Sequence, residues 1–361
     1  MKKIAALLLA LVMVFAAVAC KPAATADTYE IALVTDVGNI DDKSFNQGAW
    51  EGVKAYAEAN KITYNYYRPT EDSTAAREET IKTAIDKGAK VVVCPGFLFA
   101  ETLTNIQDKY PDTMFLALDV SAKTEQNPKG DMVPSANTAL ITYQEDQVGY
   151  MAGYAAVKDG YTKLGFLGGI DVPAVVRFGY GYVQGVNDAA KEMGIVDKID
   201  MKYWYCGGFA PSDDIKTKMS GWYTEGTEVV FACGGGIYLS AVGAAEEASA
   251  KVIGVDRDQA GESDLFITSA TKSLSPSVEI ALGDLYKNEG KWPESYAGKE
   301  TKLGAAQNCV GLPTVKDSWR LTTFTVEEYE ALFTKIANGE VVISSAIDVA
   351  PTVDIKVDYQ F

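Results

Sequence analysis

From Tyr29 onward, short apolar runs alternate with longer segments whose apolar residues return at helical spacing. The pattern predicts strands at 30–35, 63–67, 89–94 and 113–118, separated by helices at 44–60, 74–87 and 99–110. Strand–helix alternation of this kind predicts a parallel sheet covered on both faces. The near-continuous apolar character of the strand segments agrees, because such strands are buried on both sides. Residues 121–136, mixed in Lys, Glu, Asn, Pro, Gly and Asp, read as a loop. The rhythm then restarts, with helices expected at 142–157, 179–193, 212–224 and 237–250 and strands at 163–167, 200–205, 228–233 and 251–255. The tail adds a strand at 265–269 and helices at 276–286 and 325–338. Two α/β units of similar size predict two Rossmann-like lobes.

The first residues follow a different rule. Lys2 and Lys3 precede an apolar run over 4–19 that ends at Cys20. A basic start, a short apolar stretch and small residues before a cleavage point predict a signal peptide at 1–19. The run is too short for an ordinary membrane span. Residues 20–28 read as a polar tether of small residues. A cysteine in this place resembles a bacterial lipobox, which implies an exported protein anchored to the membrane by acyl chains on Cys20.

Charge and composition narrow the chemistry. The 361 residues carry 33 Lys and Arg against 49 Asp and Glu, a formal charge of −16, and a surface of that sign repels phosphate backbones. Nucleic acid is therefore not an expected partner. The chain has no histidine, which excludes Ser-His-Asp and Cys-His nucleophiles and His-ligated zinc. Cys94, Cys206, Cys233 and Cys309 form no CxxC pair, and the apolar runs ending at Cys94 and Cys233 predict buried thiols.

In a doubly wound sheet, ligands bind at the carboxyl ends of the strands. Here those ends carry Asp36, Pro95-Gly96 and Asp119 in the first half, then Gly168-Gly169, Cys206-Gly207-Gly208, Gly234-Gly235-Gly236 and Asp256. The last is Ser269-Ala270-Thr271-Lys272. Glycines, carboxylates and one lysine thus gather where a cleft between two lobes is expected, suited to hydrogen-bonding a polar small molecule. The glycine run at 234–236 lacks the third glycine of a dinucleotide loop, since that position is Leu239. Asp41-Asp42 lacks further ligands at calcium-loop spacing. Neither a cofactor nor a metal is expected.

The stretch from Val34 to Gln47, containing Asp36, Asp42 and Ser44-Phe45-Asn46-Gln47, resembles the opening motif of the basic membrane protein family. Further matches are Leu118-Asp119, residues 149–154, 168–173, 178–181 and 229–234, Ile253-Gly254-Val255-Asp256-Arg257-Asp258-Gln259 and residues 268–272. The resemblance implies a substrate-binding lipoprotein of a purine-nucleoside ABC transporter. The resemblance implies a type I periplasmic-binding-protein fold with two lobes and three crossovers. One lobe would take 29–140 plus 263–310 and the other 141–262 plus 311–361, with hinges near 137–142, 257–263 and 310–315. It further implies a non-enzymatic, monomeric receptor at the cell envelope. The receptor would pass adenosine, guanosine or inosine to an ABC permease and its ATPase.

Carried over position by position, Phe45 would stack on the base, with Phe209 facing it from the second lobe and Phe178 lining the cleft. Asp36 and Asn46 would read the base edge, Asp119 and Asp256 would accept from ribose hydroxyls, Lys272 would donate to ribose oxygens, and Gly234 would allow close approach. Phe231 and Trp204, inside apolar strands, are expected in the core. Other readings stay open: a sugar or signalling-molecule receptor of the same fold, or a surface adhesin that binds a host macromolecule. An enzyme such as a nucleoside hydrolase is disfavoured, because the aspartates are dispersed at strand ends.

Overall fold

The computed structural model describes residues 28–360. The expected signal peptide and Cys20 lie outside the described residues. In the first half, strands β1 (Ile31–Val34), β2 (Tyr64–Tyr67), β3 (Val91–Pro95), β4 (Met114–Leu118) and β5 (Thr138–Tyr143) alternate with helices α1 (Phe45–Asn60), α2 (Thr74–Asp86) and α3 (Phe99–Ile106). The chain continues through α4 (Glu145–Lys158), β6 (Lys163–Gly168), α5 (Pro173–Met193), β7 (Asp200–Tyr205) and α6 (Asp213–Thr224). Next come β8 (Val229–Cys233), α7 (Tyr238–Ala248), β9 (Lys251–Asp256) and β10 (Phe266–Lys272). Helix α8 (Leu274–Lys287), β11 (Lys299–Leu303), β12 (Val310–Gly311), α9 (Val326–Ala337) and β13 (Lys356–Tyr359) complete it.

Two sheets result, ordered β11-β5-β4-β3-β1-β2 and β12-β10-β9-β8-β6-β7-β13. All pairings are parallel except β10 with β12. Strands β1, β3, β4, β5 and β8 are buried along their whole length, as expected for layers with helices on both faces. Helix starts follow local chemistry. Ser73 and Ser212 accept from the N–H groups of Ala76 and Ile215, Thr325 and Glu328 form a reciprocal cap, and Pro173 opens α5.

The chain passes between the lobes three times. It leaves the first sheet after β5 and enters α4, which packs on α5 in the second lobe. It returns after β10, and α8 packs on α1. It crosses again between β11 and β12. This is the type I periplasmic-binding-protein fold.

Several sequence expectations need correction. Residues 142–157 are not one helix, because Thr138–Tyr143 forms β5 and the helix begins at Glu145. No glycine or proline separates the two elements, so the apolar pattern runs straight through the join. Helix α5 begins at Pro173 rather than 179, which places Phe178 within a helix. The second passage lies ten residues later than expected: β10 pairs with β9 over Phe266–Thr271 and with β12 at Lys272, all in the second sheet, so residues 263–272 do not belong to the first lobe. Strands β11 and β13 carry too much charge to read as strands, since each lies at a sheet edge.

Candidate functional site

A cavity of about 590 Å³ opens between the carboxyl ends of the two sheets. All nine residues singled out from the sequence line it: Asp36, Phe45, Asn46, Asp119, Phe178, Phe209, Gly234, Asp256 and Lys272. Its volume is in the range typical of small-molecule sites.

From the first lobe, Asp36 follows β1. Its Oδ1 accepts from the N–H of Gly38 at 3.0 Å and from Nδ2 of Asn46 at 3.1 Å. Gly96, at φ +121°, lets the backbone pass close by, since a Cβ there would stand 2.6 Å from Asp36 Oδ2. Burial pushes the Asp36 carboxyl above its usual value despite these hydrogen bonds. Asp42 caps α1, accepting from the N–H groups of Ser44 at 2.8 Å, Asn46 at 3.1 Å and Gln47 at 3.1 Å. With the helix start already satisfied, the Ser44 hydroxyl is released to donate to Asp256 Oδ2 in the other lobe, at 2.5 Å.

Asp119 and Asp256 occupy the ends of β4 and β9, and both have left-handed backbone, at φ +59° and +64°. That conformation is strained for a residue with a Cβ and, in folded proteins, concentrates at functional sites. Burial pushes Asp119 up to about 7, against the pull of Lys272, and also raises Asp256.

Lys272 ends β10 with its side chain only 1% exposed. Its ammonium lies 2.6 Å from Asp119 Oδ2 and 3.0 Å from Glu145 Oε1. The rings of Phe45, Tyr143 and Phe178 surround it, with centres 4.9, 5.1 and 5.3 Å away, in cation–π range. Burial alone would lower the Lys272 pKa, but Asp119, Glu145 and Asp256 reverse this and hold it charged. Glu145 Oε2 in turn accepts from Arg177 Nε at 2.5 Å.

The second-lobe ring rests on glycines. Phe209 packs across Gly169 and Gly234; a Cβ on Gly234, at φ +147°, would come within 2.9 Å of the ring, and one on Gly169 would overlap it. Phe178 is 2% exposed and packs edge-on against Phe231, so it forms the buried wall beside Lys272. Phe231 is in the core, as expected, whereas Trp204 is only partly buried at the edge of its cluster. Cys94 and Cys233 are buried free thiols.

Sequence reasoning missed Asp42, Ser44, Glu145 and Arg177. One signal was available: Arg177 interrupts the apolar run Ala174-Val175-Val176-Arg177-Phe178, and a lone arginine on a buried helix face needs an acid beside it. The partner could not be read from the sequence. It depends on glycines that let α4 and α5 touch: a Cβ on Gly149, Gly153, Gly181 or Gly185 would strike the backbone of the facing helix.

The family model for PnrA-like ABC transporter substrate-binding proteins matches residues 30–346. The chain belongs to this family. It is 28% identical over 351 residues to Basic membrane protein A1 of Borrelia garinii subsp. bavariensis, covering 95% of this chain and 96% of that one. It is also 28% identical over 284 residues to a protein of Lactococcus lactis subsp. cremoris named ABC transporter nucleoside-binding protein BmpA, covering 73% and 76%. Among solved structures it is similar to an ABC transporter solute-binding protein from Aeropyrum pernix K1, with a TM-score of 0.73 at 22% identity over 89% of this chain and 94% of that one. As a PnrA-like substrate-binding protein it takes a small-molecule ligand for an ABC permease and ATPase. The family's members are solute-binding proteins rather than enzymes, located outside the cell membrane and associated with it. Among the described residues no helix is long and apolar enough to cross a membrane.

Proposed function

We propose that this protein captures purine nucleosides between its two lobes for uptake. The observation that carries the reading is the pairing of two kinds of group in one cavity. Aromatic rings from both lobes, Phe45 and Phe209, line it together with Asp119, Asp256 and Lys272. A flat heterocycle gains roughly 1–3 kcal/mol from stacking on an aromatic ring. The carboxylates and the ammonium supply acceptors and a donor for ribose hydroxyls. Asp36 and Asn46, held together at one end of the cavity, read the base edge. The relative from Lactococcus lactis that carries nucleoside-binding in its name supports the same reading. The protein acts as a monomer and is held at the envelope by acyl chains on Cys20. Replacing that cysteine by serine releases the protein from the membrane fraction.

Calorimetry with adenosine, guanosine, inosine, uridine and free ribose tests the proposal. Micromolar or tighter binding of purine nucleosides is expected, with none for ribose, which cannot fill an aromatic sandwich. Asp119→Ala should cost roughly 1.5–3 kcal/mol of affinity by removing a charged acceptor. Tight binding of a free sugar, or of no nucleoside at all, overturns the reading.

A further inference from the structure

We infer that Glu145 and Arg177, neither of which lines the cavity, are positioning residues that preset Lys272 and Asp119 as a donor beside an acceptor for vicinal hydroxyls of the ligand. The inference rests on the nucleoside reading and specifies how its ribose end is read.

Four charged groups alternate in a row. Arg177 Nε donates to Glu145 Oε2 at 2.5 Å, Glu145 Oε1 lies 3.0 Å from Lys272 Nζ, and Lys272 Nζ lies 2.6 Å from Asp119 Oδ2. Glu145 is fully buried, and the Arg177 side chain is 16% exposed. Buried ion pairs are weak stabilisers, since desolvation offsets much of the attraction, so such a row contributes more through geometry than through folding energy. Arg177 and Lys272 outweigh the effect of burial on Glu145 and hold its carboxyl below the usual range, which keeps it a fixed anion.

An ammonium has three N–H donors. Asp119 Oδ2 accepts one of them, and Glu145 Oε1 faces the ammonium at 3.0 Å as an ion pair without a hydrogen bond of its own, which leaves a donor for a ligand oxygen. On Asp119, Lys272 engages Oδ2 while Oδ1 has no hydrogen-bond partner. The result is one open donor beside one open acceptor. A vicinal diol can place one hydroxyl on the donor and the other on the acceptor, whereas a 2′-deoxyribose brings a single hydroxyl to both and makes the weaker match. Glu145 draws the ammonium away from Asp119 and so works against its sharing both Asp119 oxygens.

The row is also tied to the passages between the lobes. Glu145 opens α4 directly after the first crossover. Lys272 is the last residue of β10, before the second, and pairs in register with Val310, just after the third. Asp119 belongs to the first sheet, where its N–H donates to the Ile141 carbonyl at 2.8 Å. The Arg177–Glu145–Lys272 set therefore stays with the second lobe, and the link to Asp119 is the one that spans the lobes.

The test is calorimetry of the full chain and its E145Q, R177M and R177K variants with guanosine, inosine, adenosine and their 2′-deoxy analogues, from pH 5.5 to 9. The wild type should favour ribo over deoxy forms by roughly tenfold or more, the weight of one well-made polar contact. In E145Q and R177M that ratio should fall to within about threefold, and R177K, which keeps a positive charge beside Glu145, should restore part of it. Asp119 is faced by Lys272 from β10, Glu145 from α4 and Arg177 from α5. Removing the Glu145 charge should therefore move the acid limb of binding to lower pH. A merely structural role would lower stability and leave both the ratio and the limb in place. Should R177M not fold, the near-isosteric E145Q decides alone. A wild type that binds no nucleoside overturns the function proposed above. A wild type that binds, with E145Q keeping the full ribo preference, overturns this inference.

Discussion

Ser44 and Asp256 meet across the cleft: the hydroxyl at the start of α1 donates to the carboxylate at the end of β9, at 2.5 Å. The pair does not stand alone. Nearby, the Gln259 amide donates to the Lys43 carbonyl at 3.0 Å, Lys43 lies 3.6 Å from Glu262, and Arg257 lies 2.9 Å from Glu51. Residues 43–51 of the first lobe thus latch onto residues 256–262 of the second. Ser44→Ala leaves the buried Asp256 carboxylate without this partner, and about 1.5–3 kcal/mol of stability should be lost. Urea unfolding reads that loss. Small-angle scattering of the ligand-free variant should show a larger radius of gyration than the wild type; an unchanged radius would mean the bond does not help hold the lobes together.

Two buried acids in or near the site set a pH dependence. Burial pushes Asp119 up to about 7 and Asp146 up to about 6. Each therefore binds its proton more tightly in the folded than in the unfolded chain, where carboxyls titrate near 4. Stability from these two groups is full at low pH and is lost as pH rises through about 6 to 7. The melting temperature of the ligand-free protein should fall between pH 5 and pH 8. Asp119→Asn should flatten that fall, and an unchanged slope would argue against Asp119 as its source.

The Phe209 platform has no room for a methyl group. Gly234→Ala adds a Cβ at 2.9 Å from the ring on a backbone at φ +147°, where side chains are disfavoured. Gly169→Ala places one within the ring. Both should displace Phe209 and weaken nucleoside binding by roughly tenfold, the loss of one stacking face, while circular dichroism stays near wild type. Normal binding by both variants would remove Phe209 from the site.

The contact between α4 and α5 should be equally intolerant. In Gly149→Ala the new Cβ would strike the Phe178 carbonyl, and in Gly185→Ala the Tyr150 carbonyl. Overpacking of this kind costs about 1–3 kcal/mol, visible as a lower denaturation midpoint. Because the same helices bring Arg177 to Glu145, ligand affinity should fall together with stability. Loss of one without the other would separate the packing from the site.

The sequence by itself determined the alternation of apolar strands and amphipathic helices, and with it two parallel sheets whose carboxyl ends face a common cleft. It also marked the polar residues at those ends, because an Asp, a Gly or a Lys directly after a buried run is visible without coordinates. Only the tertiary structure decided where the lobes exchange chain. Residues 266–272 belong to the second sheet because Phe266–Thr271 pair with β9, and no local signal reports a pairing partner. It also decided which groups meet inside. Glu145 and Arg177 are 32 residues apart and become neighbours only because facing glycines let two helices approach to backbone contact. Ser44 and Asp256 are 212 residues apart and touch only because the lobes lie together. Local pattern fixes which face of an element is buried; the identity of a buried charge's partner is set by packing between elements, which residue order does not encode locally.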